Sequence, residues 1–227
     1  MAKKKNNITE EQFAAVEKTL GKTEQWVEKN YKSLLIGVGA IVAVILFLNF
    51  LNSSNISSNT EAQNNMFASV NYFEKDSFNL ALNGDGQYSG FLDIIDENAS
   101  TDAGNLANYY AGASYLNLGD NENAIKYLSK FSANDEIVSS VALGSLGDAY
   151  MNTGKTDKAI SSWKKAAKNS SNSFTSPLYL MRAAMALEDK GNNSEAIKLY
   201  QSIKDNYGSS DQGNDIDKYI TRASLKK

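Results

Sequence analysis

Apolar residues in this 227-residue chain follow two patterns that suit different environments. Near the amino terminus they run together. Residues 34–48 carry no charged side chain, and Phe50 and Leu51 prolong the run beyond Asn49. A helix rises about 1.5 Å per residue, so these 18 residues would span roughly 27 Å, close to the thickness of a hydrocarbon core. The pattern predicts a transmembrane helix over 34–51. From residue 62 onward the apolar residues instead recur three and four apart, the period of helices that bury one face.

The second pattern repeats. Gly112, Tyr115, Gly119, Ala124 and Leu128 are followed at identical spacing by Gly147, Tyr150, Gly154, Ala159 and Trp163. Ala184, Leu187, Gly191, Ala196 and Tyr200 come next, so the step is 35 and then 37 residues. A step near 34 residues is that of tetratricopeptide helix pairs. Small residues at Gly112, Gly147, Ala184 and at Ala124, Ala159, Ala196 would let paired helices approach closely. The large side chains would fill the remaining space. Gly119, Gly154 and Gly191 fit the left-handed residue that ends the first helix of each pair.

The predicted fold is therefore all-α: one transmembrane helix followed by a tetratricopeptide solenoid. Repeats are expected at about 105–138, 140–173 and 177–210, with a capping helix over 211–226 that carries Ile216, Tyr219, Ile220 and Ala223 on one stripe. A degenerate repeat is expected over 62–100, with Gly90 at its small-residue position, 34 residues before Ala124. Pro177, the single proline, comes after Ser176 as N1 would come after an N-cap. Residues 52–61, rich in Ser and Asn, read as a flexible linker ahead of a 62–227 repeat domain. In the 1–33 tail, Thr9-Glu10-Glu11-Gln12 has capping-box spacing before an amphipathic helix over 10–20. Gly21 would end that helix, and its apolar face suits a membrane, a partner or simply a frayed surface.

Charge orients the predicted span. Lys3, Lys4, Lys5, Lys18, Lys22, Lys29 and Lys32 precede it, and the first basic residue after it is Lys75. That asymmetry puts the amino terminus in the cytoplasm and the repeats across the membrane, with Trp26 and Tyr31 as interfacial anchors. Read as a cleaved signal peptide, the run would have an n-region of 33 residues and no Ala-x-Ala site after it, so an uncleaved anchor is expected.

Composition then narrows the function. Of 23 basic and 26 acidic residues, seven and five precede the span, which leaves residues 52–227 with a formal charge of −5. An acidic domain is a poor match for nucleic acid. The chain has no cysteine and no histidine. It thus lacks thiolate chemistry, the commonest general base and the commonest zinc ligand. Asn83-Gly84-Asp85-Gly86 has turn chemistry rather than phosphate-loop spacing. No catalytic, metal or cofactor site is expected. An enzyme built on Asp, Glu, Lys or Ser is the third reading, behind two binding functions.

A binding groove would be lined by the first helix of each pair. The inward positions are Tyr109, Ala113 and Leu116, then Gly144, Asp148 and Met151, then Met181, Met185 and Glu188. Methionine's flexible thioether suits variable apolar ligands. The competing reading is that these side chains pack against neighbouring helices or the capping segment.

An amphipathic stub, one anchor and an exported tetratricopeptide domain together resemble the YfgM family of ancillary translocon subunits, in its Bacteroidota form. Segments 76–86 and 105–112 carry the likeness. The resemblance implies a non-catalytic inner-membrane protein that associates with SecYEG and a PpiD-like periplasmic chaperone and helps nascent exported proteins. The basic and asparagine residues that cytosolic tetratricopeptide clamps turn on a terminal carboxylate are replaced here by Ala113, Asp148 and Met185. The alternative function is an envelope scaffold for another machine, in cell-wall synthesis or outer-membrane assembly.

Overall fold

The computed structural model describes the backbone of residues 10–133 and 135–226. Side chains are described from residue 56 onward, apart from 134, 170 and 227, and before that at 26, 29–32 and 40–49. The chain comprises two units, residues 1–54 and 55–227.

Residues 10–54 of the first unit belong to a 65-residue helix, α1 (Glu10–Glu74). Ile41, Val42, Val44, Ile45, Leu46, Phe47 and Leu48 are each 48–63% exposed, and Trp26 and Tyr31 are also exposed. Among the residues described in full, no helix is long and apolar enough to cross a membrane. Residues 34–39 and 50–51 of the predicted span lie outside that description, as does the capping box at Thr9.

Helix α1 runs through both places where the sequence predicts a break. Gly21 lies inside it, and the segment 52–61, read as a linker, is helical. One glycine costs a helix about 1 kcal/mol but leaves its hydrogen bonds possible. The Ser/Asn segment is held by tertiary contacts at and just beyond its carboxyl-terminal end. Ala62 and Met66 are buried in the second unit, and the Ala103 N–H donates to Asn59 Oδ1 at 2.9 Å. Tertiary docking here outweighs a composition that favours coil.

The second unit continues with α2 (Phe78–Asn83), α3 (Phe91–Asn98), α4 (Asp102–Asn117), α5 (Asn121–Leu128) and α6 (Glu136–Asn152). It ends with α7 (Thr156–Ser170), α8 (Thr175–Asp189), α9 (Asn193–Tyr207) and α10 (Ile216–Leu225). Each helix from α3 to α10 packs on the next, and α4, α6 and α8 also touch one another in order. The unit is an all-α, tetratricopeptide-like solenoid whose inner row is α4, α6 and α8.

Side-chain caps start several helices: Thr101 accepts from Gly104 N–H at 3.0 Å and Asp135 from Val138 N–H at 2.8 Å. The inner helices stop alike. Gly119, Gly154 and Gly191 have φ of +80°, +72° and +79°. In each case the glycine N–H bonds three residues back, and the next N–H bonds five back. This double closure satisfies carbonyls that a straight end would leave open.

Close approach explains the small residues. A Cβ on Gly147 would lie 2.5 Å from Trp163 Cδ1, so that indole occupies the volume glycine leaves. Ala124, Ala159 and Ala196 are fully buried. Three apolar clusters result: one joins the end of α1 to α2, α3 and α4, a small one joins α4, α5 and α6, and the largest runs from α6 to α10.

Two local expectations are corrected. Gly90 is not a mid-helix small residue but the N-cap of α3. A Cβ there would lie 2.2 Å from the Leu82 carbonyl oxygen, so contact with α2 selects glycine. Likewise Pro177 is not at N1, because α8 begins at Thr175. Asn172 Oδ1 draws the start back by accepting from the N–H groups of Phe174 at 2.8 Å and Thr175 at 2.7 Å. Proline still sits in the first turn, where its missing N–H leaves no bond unmade.

Candidate functional site

Helices α6 and α8 hold a cleft of about 390 Å³ between them. Asp148, Met151 and Asn152 come from α6, and Arg182, Met185 and Asp189 from α8. Trp163 of α7 lies behind them. Each helix thus presents residues one turn apart on its inner face, near its carboxyl end.

Asp148 is the polar centre of the cleft. Its Oδ1 accepts from the Trp163 indole Nε1 at 2.9 Å, while that indole also reaches the Gly144 carbonyl at 3.2 Å. Arg182 pairs with both carboxylate oxygens. The Arg182 guanidinium lies 5.9 Å from the Tyr179 ring centroid. That ring fills the space opposite Gly144, where a Cβ would meet it at 2.1 Å. Burial pushes the Tyr179 phenol up to about 12, against the opposing pull of Arg182. Asp148, Trp163, Arg182 and Tyr179 therefore form a tie between two repeats rather than a reactive group.

The second predicted carboxylate is elsewhere. Glu188 is buried, and it is the anchor of α10. Arg222 donates to it through Nε at 2.8 Å and Nη2 at 2.7 Å, Lys226 Nζ at 2.8 Å, and the Tyr200 hydroxyl at 3.0 Å. These donors, Arg222 foremost, hold the carboxyl down to about 2 despite its burial. Burial, reinforced by the same carboxylate, pushes the Tyr200 phenol up.

The remaining groove residues divide between surface and core. Met151 and Met185 are 37% and 43% exposed and face the cleft with Asp148. Met181 packs against the largest apolar cluster. Ala113 is buried, and Leu116 packs into the small cluster. Tyr109 is fixed between Tyr110 and Phe131, at centroid distances of 5.3 and 5.5 Å. Of the nine residues predicted to line a groove, the cleft brings together Asp148, Met151 and Met185.

Helical periodicity alone does not put Arg182, Trp163 and Asp189 in this cleft. A signal for the arginine exists: Arg182 lies 34 residues after Asp148, and Arg222 lies 34 after Glu188. In both cases a tyrosine, Tyr179 or Tyr219, stands three residues before the arginine. A wider cleft of about 640 Å³ lies at the amino-terminal ends of α4 and α6, between Leu106, Phe131 and Val138. It contains none of the predicted residues. Among the described residues, no group of three or more acidic side chains could hold a metal ion.

Comparison with known proteins agrees with this architecture. The tetratricopeptide repeat family matches at residues 106–135 and again at 145–211. Two crystal structures from Podosopora anserina, described as putative kinesin light chain nearly identical TPR-like repeats, superpose with a TM-score of 0.55. They are 14% and 13% identical in sequence, and the match covers 74% of this chain and 87% of theirs. At that identity the likeness is one of fold. No curated protein matches the chain.

Proposed function

We propose that this chain is a membrane-anchored, non-catalytic binding protein, an ancillary subunit of the SecYEG translocon that works with a PpiD-like chaperone on exported proteins. The observation that carries the anchor is the exposed apolar series from Ile41 to Leu48 in α1. Burying such side chains is worth about 25 cal/mol per Å² of apolar surface, a strong incentive to leave water. The seven lysines upstream and the absence of any basic residue over 52–74 favour a cytoplasmic amino terminus. The tetratricopeptide repeats supply surfaces for protein partners rather than chemistry. The likeness to YfgM supplies the translocon.

Topology tests this reading first. A cysteine at Ser57 is expected to react with a membrane-impermeant maleimide in cells whose outer membrane has been permeabilised, and one at Asn7 is not. Labelling at Asn7 instead would remove the repeats from the far side of the membrane and the translocon role with them.

A further inference from the structure

We propose that the cleft between α6 and α8 binds an extended protein segment in which a basic side chain stands beside long apolar ones. The apolar half of the argument is the pair Met151 and Met185, one from each helix, both partly exposed toward the same space. Thioether side chains can repack around different aliphatic partners at little cost.

The charge half is more particular. The charge of Arg182 is offset by Asp148, whose two carboxylate oxygens it holds through Nη1. Asp189, at the mouth, is exposed and pairs with no cation among the described residues. Both helices end here, and neither has a basic residue in its last turn. The lysines just beyond them are engaged on the outer helices: Lys155 with Glu122 at 3.0 Å, and Lys190 with Asp157. Two helix carboxyl ends, each equivalent to roughly half a negative charge, thus face the cleft along with Asp189. A lysine or arginine entering between the methionines would meet this field. A chain-terminal carboxylate would be repelled.

This inference rests on the proposed function only in taking the repeats to bind protein segments. The test uses the full chain in nanodiscs of zwitterionic lipid, with protein-free nanodiscs as the blank. Fluorescence anisotropy would compare four labelled twelve-residue peptides: Lys with Leu, Glu with Leu, Ser with Leu, and Lys with Ser. The first is expected to bind at least tenfold more tightly than the others. Asp189→Asn should weaken it about three- to tenfold and flatten its salt dependence. Met151→Gln with Met185→Gln should weaken it about tenfold while leaving the helical melting curve in place.

Equal binding of the acidic or the all-polar peptide would overturn the proposal, as would indifference to Asp189→Asn. If the substitutions lowered the particle mass per nanodisc instead, the cleft would be an interface between copies of this chain and the proposal would fall. None of these failures would affect co-purification with SecY, and loss of that co-purification would leave peptide binding as measured.

Discussion

Arg222 on α10 grips Glu188 on α8 from 34 residues away, as Arg182 on α8 grips Asp148 on α6. The two pairs mark successive rungs of one ladder, each arginine lying against a tyrosine of its own helix: Tyr179 at 5.9 Å and Tyr219 at 4.9 Å. Helix α10 therefore does what α8 does, one step along. It covers the largest core with Ile216 and Ala223, both buried, and fixes its register through Glu188. A carboxylate so enclosed needs its donors, because a buried unpaired charge is costly.

This arrangement predicts a pH dependence. Glu188 has its carboxyl lowered from 4.5 to about 2 in the folded protein. The pair thus contributes its full stability above about pH 4.5, and that contribution fades as pH falls toward 2. Glu188→Gln should cost about 1–3 kcal/mol at neutral pH. Thermal melts of parent and variant should converge between pH 5 and pH 2. Curves that stay parallel over that range would place the stabilisation elsewhere.

Packing makes a second prediction. Ala159 is fully buried in the core that runs from α6 to α10, leaving no room for a ring. Ala159→Phe should destabilise by about 1–3 kcal/mol or more. Because each repeat leans on its neighbours, hydrogen exchange should quicken in α6 and α8 as well as α7. An unchanged melting temperature would mean that the helices do not meet at this residue.

Much of the solenoid is legible in the sequence because its signals are local or periodic. The glycines ending α4, α6 and α8, and the fit of Trp163 onto Gly147, come from residue size and spacing alone. The features that escape depend on contacts between distant positions. Glu188 has the periodicity of a groove residue, but the cations that enclose it come from the carboxyl-terminal segment that holds α10. Asn59 lies in a coil-like stretch, yet its partner at Ala103 helps keep that stretch helical. Counting back from Ala124 puts Gly90 inside a helix, whereas the short helix α2 and its turn shift the register at the start of the solenoid. The cleft is half visible: its methionines and Asp148 fall at groove positions of the repeat, and Arg182 follows Asp148 by the same 34 residues that separate Arg222 from Glu188. Asp189 stands out only once the neighbouring charges are placed in space.

The central claim is the association with the translocon, and affinity purification tests it most directly. The tagged full chain, extracted from membranes in mild detergent at matched expression, is predicted to bring down SecY and a PpiD-like chaperone. Replacing residues 34–51 with an unrelated membrane span should weaken SecY recovery and spare the chaperone. Recovery of cell-wall or outer-membrane assembly proteins, with no Sec component, would contradict the account and make the chain a scaffold of another machine.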